Sequence, residues 1–168
     1  EELLTDEDRA LLVDAVEDGR FLDGLRERPD AMAFWYRQSP RLLFPHQFQP
    51  PVLLRGPVGA TNPFSGTAGE ASVLLDLDGT LRRLEVMPRR YSPVDDPITE
   101  PDWTQLFDLA GLDLARFTED RPRYQRFLAP DRRRAWTGTT ADAPDRLLRV
   151  EAGSFEGRPV LFNVTTQR

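Results

Sequence analysis

Cysteine and lysine are both absent from this chain of 168 residues, and histidine occurs only once. Without cysteine there is no disulfide framework, no thiolate zinc site and no thiol nucleophile. The lone His46 falls short of the three or four nitrogen or sulfur ligands that zinc needs. A Ser-His-Asp triad would need it as base, yet it stands between Pro45 and Gln47 with no Gly-x-Ser-x-Gly elbow in the chain, so it reads as a loop residue. No run of about 18 apolar residues occurs, so no segment reads as a membrane span. A basic and then apolar leader is also missing, and the first residue is Glu rather than Met, as expected of a piece of a longer protein. All 22 basic residues are arginine, and 28 acidic residues outnumber them for a net charge of −6. That balance excludes nucleic acid as a general partner, because phosphate neutralisation demands a positive face.

What is present fits one globular domain. Hydrophobic residues make up 39 % of the chain, with ten Phe and three Trp, enough for a core without staples. Fifteen Pro and eleven Gly point to many turns and long connections rather than a helical bundle. Thr5 reads as an N-cap, with Leu11, Leu12, Ala15 and Val16 on one helical face and Gly19 as the stop. Residues 20–28 read as a second short helix, ended by Pro29, so residues 1–30 form an N-terminal helical segment. Residues 31–168 form the main domain, which opens with a strand over 33–37. Residues 44–70 carry Pro and Gly throughout and read as a long connection, with a short strand at 52–54. Trp103, Leu106, Phe107 and Ala110 recur at helical spacing. Thr99 with Asp102 resembles a capping box before them, and Gly111 is the stop. Leu112–Phe117 reads as one further turn. Leu148, Val150 and Ala152 alternate with Arg149 and Glu151, residues 155–157 turn, and Val160, Phe162 and Val164 alternate on return. These elements predict an α+β fold, antiparallel hairpins packed against one or two short helices with long Pro/Gly-rich connections.

Residues 74–81, Leu-Leu-Asp-Leu-Asp-Gly-Thr-Leu, admit two readings. The run resembles the nucleophile motif of haloacid-dehalogenase-type phosphatases. In that family the first Asp attacks phosphorus, the second handles the leaving-group proton and Mg²⁺ sits between carboxylates. By position these roles fall on Asp76 and Asp78. The chemistry also needs a cation, usually lysine, to steady the phospho-aspartyl charge, and a second acidic pair for the metal. The chain has no lysine, and Asp95-Asp96 follows too closely for intervening βαβ units. The reading preferred here is a hairpin over 71–88, with Asp78-Gly79 in a type I′ turn and Pro88 ending the second strand. Asp95-Asp96 itself reads as a turn rather than a Ca²⁺ loop. Arg132-Arg133-Arg134 beside Trp136 reads as the solvated face of a short helix, with anion binding the alternative.

Phe34-Trp35-Tyr36-Arg37-Gln38-Ser39-Pro40-Arg41 is the most distinctive run. Alternation along a strand puts Phe34 and Tyr36 on one face, Trp35 and Arg37 on the other. Trp35, Arg37 and Arg41 would then form a patch able to stack on a ring and pair with a carboxylate or phosphate. The structural alternative buries Trp35 in a second core layer and pairs Arg37 with an acid.

This run also resembles a segment of large bacterial membrane-bound serine/threonine protein kinases, in a soluble region outside the kinase domain. Leu75–Leu81 with Pro88, Glu100-Pro101-Asp102-Trp103 with Leu106-Phe107 and Ala110–Asp113, Ala135-Trp136, and Arg149–Ala152 with Phe155 and Gly157–Val160 resemble further segments of that region, in the same order. The likeness covers most of residues 33–164. It implies an extracytoplasmic sensor or interaction domain, tethered to the membrane through flanking segments, with the kinase elsewhere in the parent protein. It implies no catalytic residue, metal or cofactor here. The partner it implies is an unidentified small molecule, peptide or protein, or a second copy of the chain. The hairpin–helix–hairpin order is also reminiscent of exported inhibitory modules of the PepSY type.

Overall fold

Tight turns organise the described residues more than helices do. The computed structural model describes residues 32–44, 58–89, 99–123 and 130–167. Seven strands form one sheet, antiparallel throughout: β1 (Phe34–Gln38), β2 (Ala71–Leu75), β3 (Leu81–Val86), β4 (Phe117–Asp120), β5 (Arg132–Gly138), β6 (Leu148–Phe155) and β7 (Arg158–Thr166). Their spatial order is β1-β2-β3-β7-β6-β5-β4, so the last strand in sequence lies at the centre. One helix, α1 (Thr104–Leu109), and a 3₁₀ turn at Leu114–Arg116 complete the described elements. The described residues are thus mostly antiparallel sheet, with one short helix and a 3₁₀ turn, roughly consistent with the α+β expectation. The helices expected within residues 5–28, the strand at 52–54, His46 and Asp95-Asp96 lie outside the described residues. Residues 58–70 carry turns and bends.

Two hairpins show how local chemistry sets the ladder. Between β6 and β7 the two turn residues, Glu156 and Gly157, have φ of 51° and 74°. This is the doubly left-handed pair of a type I′ turn, whose twist matches that of the strands. Between β2 and β3 the hairpin forms as expected, but its turn is of another kind. Only Gly79 is left-handed, at φ 87°. The Gly79 N–H donates to the Asp76 carbonyl at 3.0 Å, and the Asp76 N–H donates to the Thr80 carbonyl at 2.9 Å. Asp78 acts through its side chain, whose Oδ1 accepts from the Thr80 N–H (3.0 Å) and hydroxyl (2.8 Å). An Asp that holds a turn through its carboxylate has no need of a left-handed backbone.

Helix α1 starts later than its capping signal predicts. Glu100 precedes Pro101, which disfavours the helical region for that residue. The first helical residue is Thr104, whose N–H donates to Asp102 Oδ1 at 3.0 Å. The C-terminus is closed by Gly111 at φ 65°. Its N–H donates to the Asp108 carbonyl, while the Leu112 N–H reaches back to Phe107 at 2.9 Å, as in a Schellman motif.

The helix buries Leu106 and Phe107 against one sheet face. Phe107 is fully buried, with ring centroids 5.3 Å from Phe117, 5.3 Å from Trp136 and 5.7 Å from Phe162, all edge-to-face. Such pairs add about 0.5–1.5 kcal/mol each beyond their burial. Leu148, Val150 and Ala152 extend this core. Residues 132–134 belong to strand β5, which pairs with β6 from Arg132↔Ser154 to Gly138↔Leu148, and this corrects the helix expected there. Three arginines suit a helix as well as a strand. The period-2 pattern that places Arg134 and Trp136 on the core side becomes evident only against β6.

The opposite face carries buried charge. Arg149 on β6 is buried and donates to Glu151 Oε1 (2.8 Å), Asp120 Oδ2 (2.5 Å) and the Arg121 carbonyl. Glu151 Oε1 also accepts from the Arg123 N–H at 2.9 Å. Charges buried on a sheet face need this full set of partners to be tolerated.

Candidate functional site

Strand β1 is an edge in the described sheet, paired only with β2, from Phe34↔Leu75 to Gln38↔Ala71. Its three aromatics are all exposed: Phe34 at 61 %, Trp35 at 44 % and Tyr36 at 58 %. Arg37, on the same strand, is placed quite differently. Its side chain is 1 % exposed, against 2 % for that of its ion-pair partner Glu70. Arg37 Nη2 donates to Glu70 Oε1 at 2.5 Å, and Nη1 donates to the Gly59 carbonyl at 3.0 Å. Glu70 Oε2 also accepts from the Gly66 and Thr67 N–H groups. Burial pushes the Glu70 carboxyl up, but the Arg37 hydrogen bond and the two backbone donors outweigh it and hold the group below its usual range. The pair anchors the loop at 59–70 to the inner edge of β1. Arg41 is exposed just beyond the strand, its N–H donating to Ser39 Oγ at 3.3 Å. The structure therefore leaves Trp35 and Arg41 open to solvent and commits Arg37 to an internal ion pair.

Asp76 and Asp78 sit in the β2–β3 hairpin of an antiparallel sheet, with no parallel strand pair among the described residues. Asp76 accepts from Arg82 Nε at 2.8 Å and Nη2 at 3.3 Å. Asp78 faces Thr80, and the Thr80 backbone and hydroxyl donors hold its carboxyl below the usual range. Both carboxylates of the phosphatase-like motif thus work within the turn.

A cleft of about 370 Å³ lies at the other end of the sheet, lined by Glu100, Pro101, Trp103, Glu119, Arg134 and Trp136. Trp103, just before α1, and Trp136 on β5 meet edge-to-face at 6.1 Å. Arg134, two residues from Trp136 on the same face of β5, clasps Glu100 with two parallel bonds: Nε to Oε1 at 2.6 Å and Nη2 to Oε2 at 2.8 Å. Its Nη1 donates to Glu119 Oε1 on β4 at 2.5 Å. The Trp103 indole N–H donates to Glu100 Oε1 at 3.1 Å, and Arg132 Nη1 lies 4.0 Å from Glu100 Oε2. The Arg134 hydrogen bonds first, then the Trp103 indole, bring the Glu100 carboxyl down from 4.5 to about 2. Glu100 and Glu119 in turn raise Arg134 above its ordinary value. Sequence reasoning singled out Arg134 and Trp136 but neither Glu100 nor Glu119 as a site residue. The available signal was Glu-Pro-Asp-Trp ahead of a helix, where the residue before proline stays extended and its side chain is free to turn back over the sheet.

Among the described residues, no group of three or more His, Cys, Asp or Glu is placed to hold a metal ion. No described helix is long and apolar enough to cross a membrane. Neither a protein-family model, nor a curated protein, nor a solved structure matches this chain.

Proposed function

We propose that this chain is a non-catalytic sensor or interaction domain of a bacterial membrane-anchored serine/threonine protein kinase. In this reading the domain lies on the extracytoplasmic side and relays the binding of a ligand or partner across the membrane. The observation that carries it is the β1 edge, where Phe34 and Tyr36 on one face and Trp35 on the other are all exposed. Large rings left in water on an edge strand lose the burial that normally offsets their ordering, and such patches mark interaction surfaces. An edge strand also offers unpaired backbone donors and acceptors to an added strand.

The ordered resemblance to kinase extracytoplasmic regions supports the same context. Several of its residues do structural work: Gly79 and Gly157 are left-handed turn residues, and Trp103, Phe107, Trp136, Val150 and Ala152 are core. In this reading those positions carry the fold, an α+β module of hairpins over a short helix. The Phe-Trp-Tyr run is the part of it that the core does not use. A partner bound at β1 shifts the kinase only by its difference in affinity between the two signalling arrangements.

The test uses the full-length protein in membrane vesicles. Trp35→Ser should change the level of kinase autophosphorylation while the isolated domain stays folded, with its melting temperature lowered by no more than a few degrees. Unaltered autophosphorylation, or a full-length gene that encodes no kinase domain, overturns the reading.

A further inference from the structure

Strands β1 and β4 end the described sheet on its two sides, and they are guarded differently. An open edge is a template for pairing with another chain, and charged side chains are its usual protection. β4 carries Glu119 and Asp120 among its four residues. β1 carries one charge among its five, and that one, Arg37, is buried in its pair with Glu70. What β1 shows to solvent is Phe34 and Tyr36 on one face and Trp35 on the other. Among the described residues no strand pairs with its outer side. Of the two edges, β1 is therefore the one left without a guard.

The order of residues along β1 fits a copy of itself. Two copies related by a two-fold axis pair their edge strands antiparallel, and each face of one sheet continues into the same face of the other. Residues opposite each other must then share a face, so one residue lies opposite its own copy. With Trp35 at that centre, Trp35 meets Trp35 and Phe34 meets Tyr36 twice, so every ring faces a ring. Arg37 then falls opposite Ala33. A centre at Tyr36 instead sets Phe34 against Gln38 and Trp35 against the committed Arg37, and directly opposed aromatic pairs are among the favourable ones. The three rings, about half exposed, supply about 300 Å² per copy at roughly 200 Å² each. Met32, Leu42 and Phe44 flank the strand in the chain, and Phe64 stands in the loop that Arg37 anchors, all four exposed. They about double that area, which takes two copies to the ~1,200 Å² of the smaller specific interfaces.

We propose that the chain dimerises through β1, which pairs antiparallel with β1 of a second copy about a two-fold axis at Trp35. The pairing rests on the reading of β1 as an interaction surface and names its partner. It satisfies the outer backbone groups of both edges at once and takes rings out of water on both faces of the joined sheet. An unrelated extended peptide would have to bring matching rings of its own, whereas a second copy carries them in register.

Sedimentation equilibrium of the intact chain should show the mass of one copy rising to that of two with concentration. Trp35→Glu sets two carboxylates opposite each other and should weaken the dimer by about tenfold, with the melting temperature lowered by no more than a few degrees. Because the chain has no cysteine, single cysteines report the register. Under mild oxidation Trp35→Cys should link to itself, and a mixture of Phe34→Cys with Tyr36→Cys should form the mixed dimer. Thr118→Cys, exposed on the β4 edge, should stay unlinked. The mass of one copy at every concentration overturns the proposal. So does undiminished association of Trp35→Glu, or linking through Thr118 as fast as through Trp35. A chain that stays monomeric while Trp35→Ser still alters autophosphorylation removes the self-pairing and leaves the sensor reading standing. A dimer with the Trp35 register whose Trp35→Ser variant autophosphorylates normally supports the pairing and removes the sensor reading.

Discussion

The two ends of the sheet use the same residue types for opposite purposes. At the β4–β5 end, Phe107, Phe117, Trp136 and Phe162 interlock under α1, and the polar groups around them form a clasp of Glu100, Arg134 and Glu119. At the β1 end, Phe34, Trp35 and Tyr36 are exposed, and the Arg37–Glu70 ion pair is buried. Aromatic content alone says little about burial. What decides it is whether another element is present to cover the face. Helix α1 covers the β5–β6–β7 side, while among the described residues nothing shields the rings of β1. The same contrast holds for charge: Arg37 is sealed beneath its loop, whereas Arg134 is 40 % exposed between Glu100 and Glu119.

The sharpest way to break the comparison is to remove a ring from the packed end. Phe107→Ala deletes a fully buried side chain that meets three other rings, and should cost about 3–5 kcal/mol in urea unfolding. A loss below about 1 kcal/mol would show that α1 contributes little to the core.

The β2–β3 hairpin beside the open edge and the β6–β7 hairpin at the packed centre should differ next. Alanine at either left-handed glycine costs about 1–2 kcal/mol from the backbone alone. At Gly157 a Cβ would also lie 2.6 Å from the Thr99 carbonyl oxygen, whereas at Gly79 nothing lies within 4 Å. Gly157→Ala should therefore lose a further 1–3 kcal/mol, roughly the cost of overpacking. Equal melting temperatures for the two variants would mean that Thr99 yields freely.

The clasp has a pH signature. The folded-state value of Glu100 is about 2 against 4.5 for the ordinary group. A depressed carboxylate adds stability above its unfolded value, and this is lost as pH falls through the folded value. Stability from the clasp should thus be complete above pH 4.5 and decline towards pH 2. Because Arg134 is 40 % exposed, solvent screening makes the loss smaller than the shift alone implies. Glu70 and Asp120 are also held low and contribute in the same direction. The difference between the wild type and Glu100→Gln isolates the clasp, and a variant whose acid slope matches the wild type would refute it.

How much of this was legible in the sequence depended on the range of the interaction. The two hairpins were, because turn glycines and alternating runs lie within a few residues of each other. The core face of α1 was also legible, since Trp103, Leu106, Phe107 and Ala110 carry their own period. The start of the helix was misread because the preference of Glu100 before Pro101 outweighs the capping pattern around it. The Asp78 turn was misread because a carboxylate that bonds forward to Thr80 and an Asp in a left-handed turn look alike in sequence. The arginine run of β5 became a strand through partners some twenty residues away. The clasp was invisible for the same reason, as Glu100 and Arg134 are 34 positions apart. Alternation along β1 correctly separated Trp35 from Phe34 and Tyr36, but which face would be covered depended on the rest of the chain.

Trp35→Ala should have the smallest effect, and it tests the comparison most directly. The side chain is 44 % exposed and sits opposite Leu74 across the β1–β2 ladder. Losing one such cross-strand pair costs about 0.2–1 kcal/mol, several-fold less than removing Phe107. The ion pair of Arg37 with Glu70 should be unaffected, because it reaches inward to the loop at 59–70 and makes no use of the indole. Urea unfolding of the two variants side by side gives the ratio. If Trp35→Ala costs as much as Phe107→Ala, the ring at β1 is part of a core, the two ends of the sheet are alike, and the exposed aromatic edge no longer supports an interaction surface. A small loss leaves three large rings in water on an edge strand, where a binding partner would account for them.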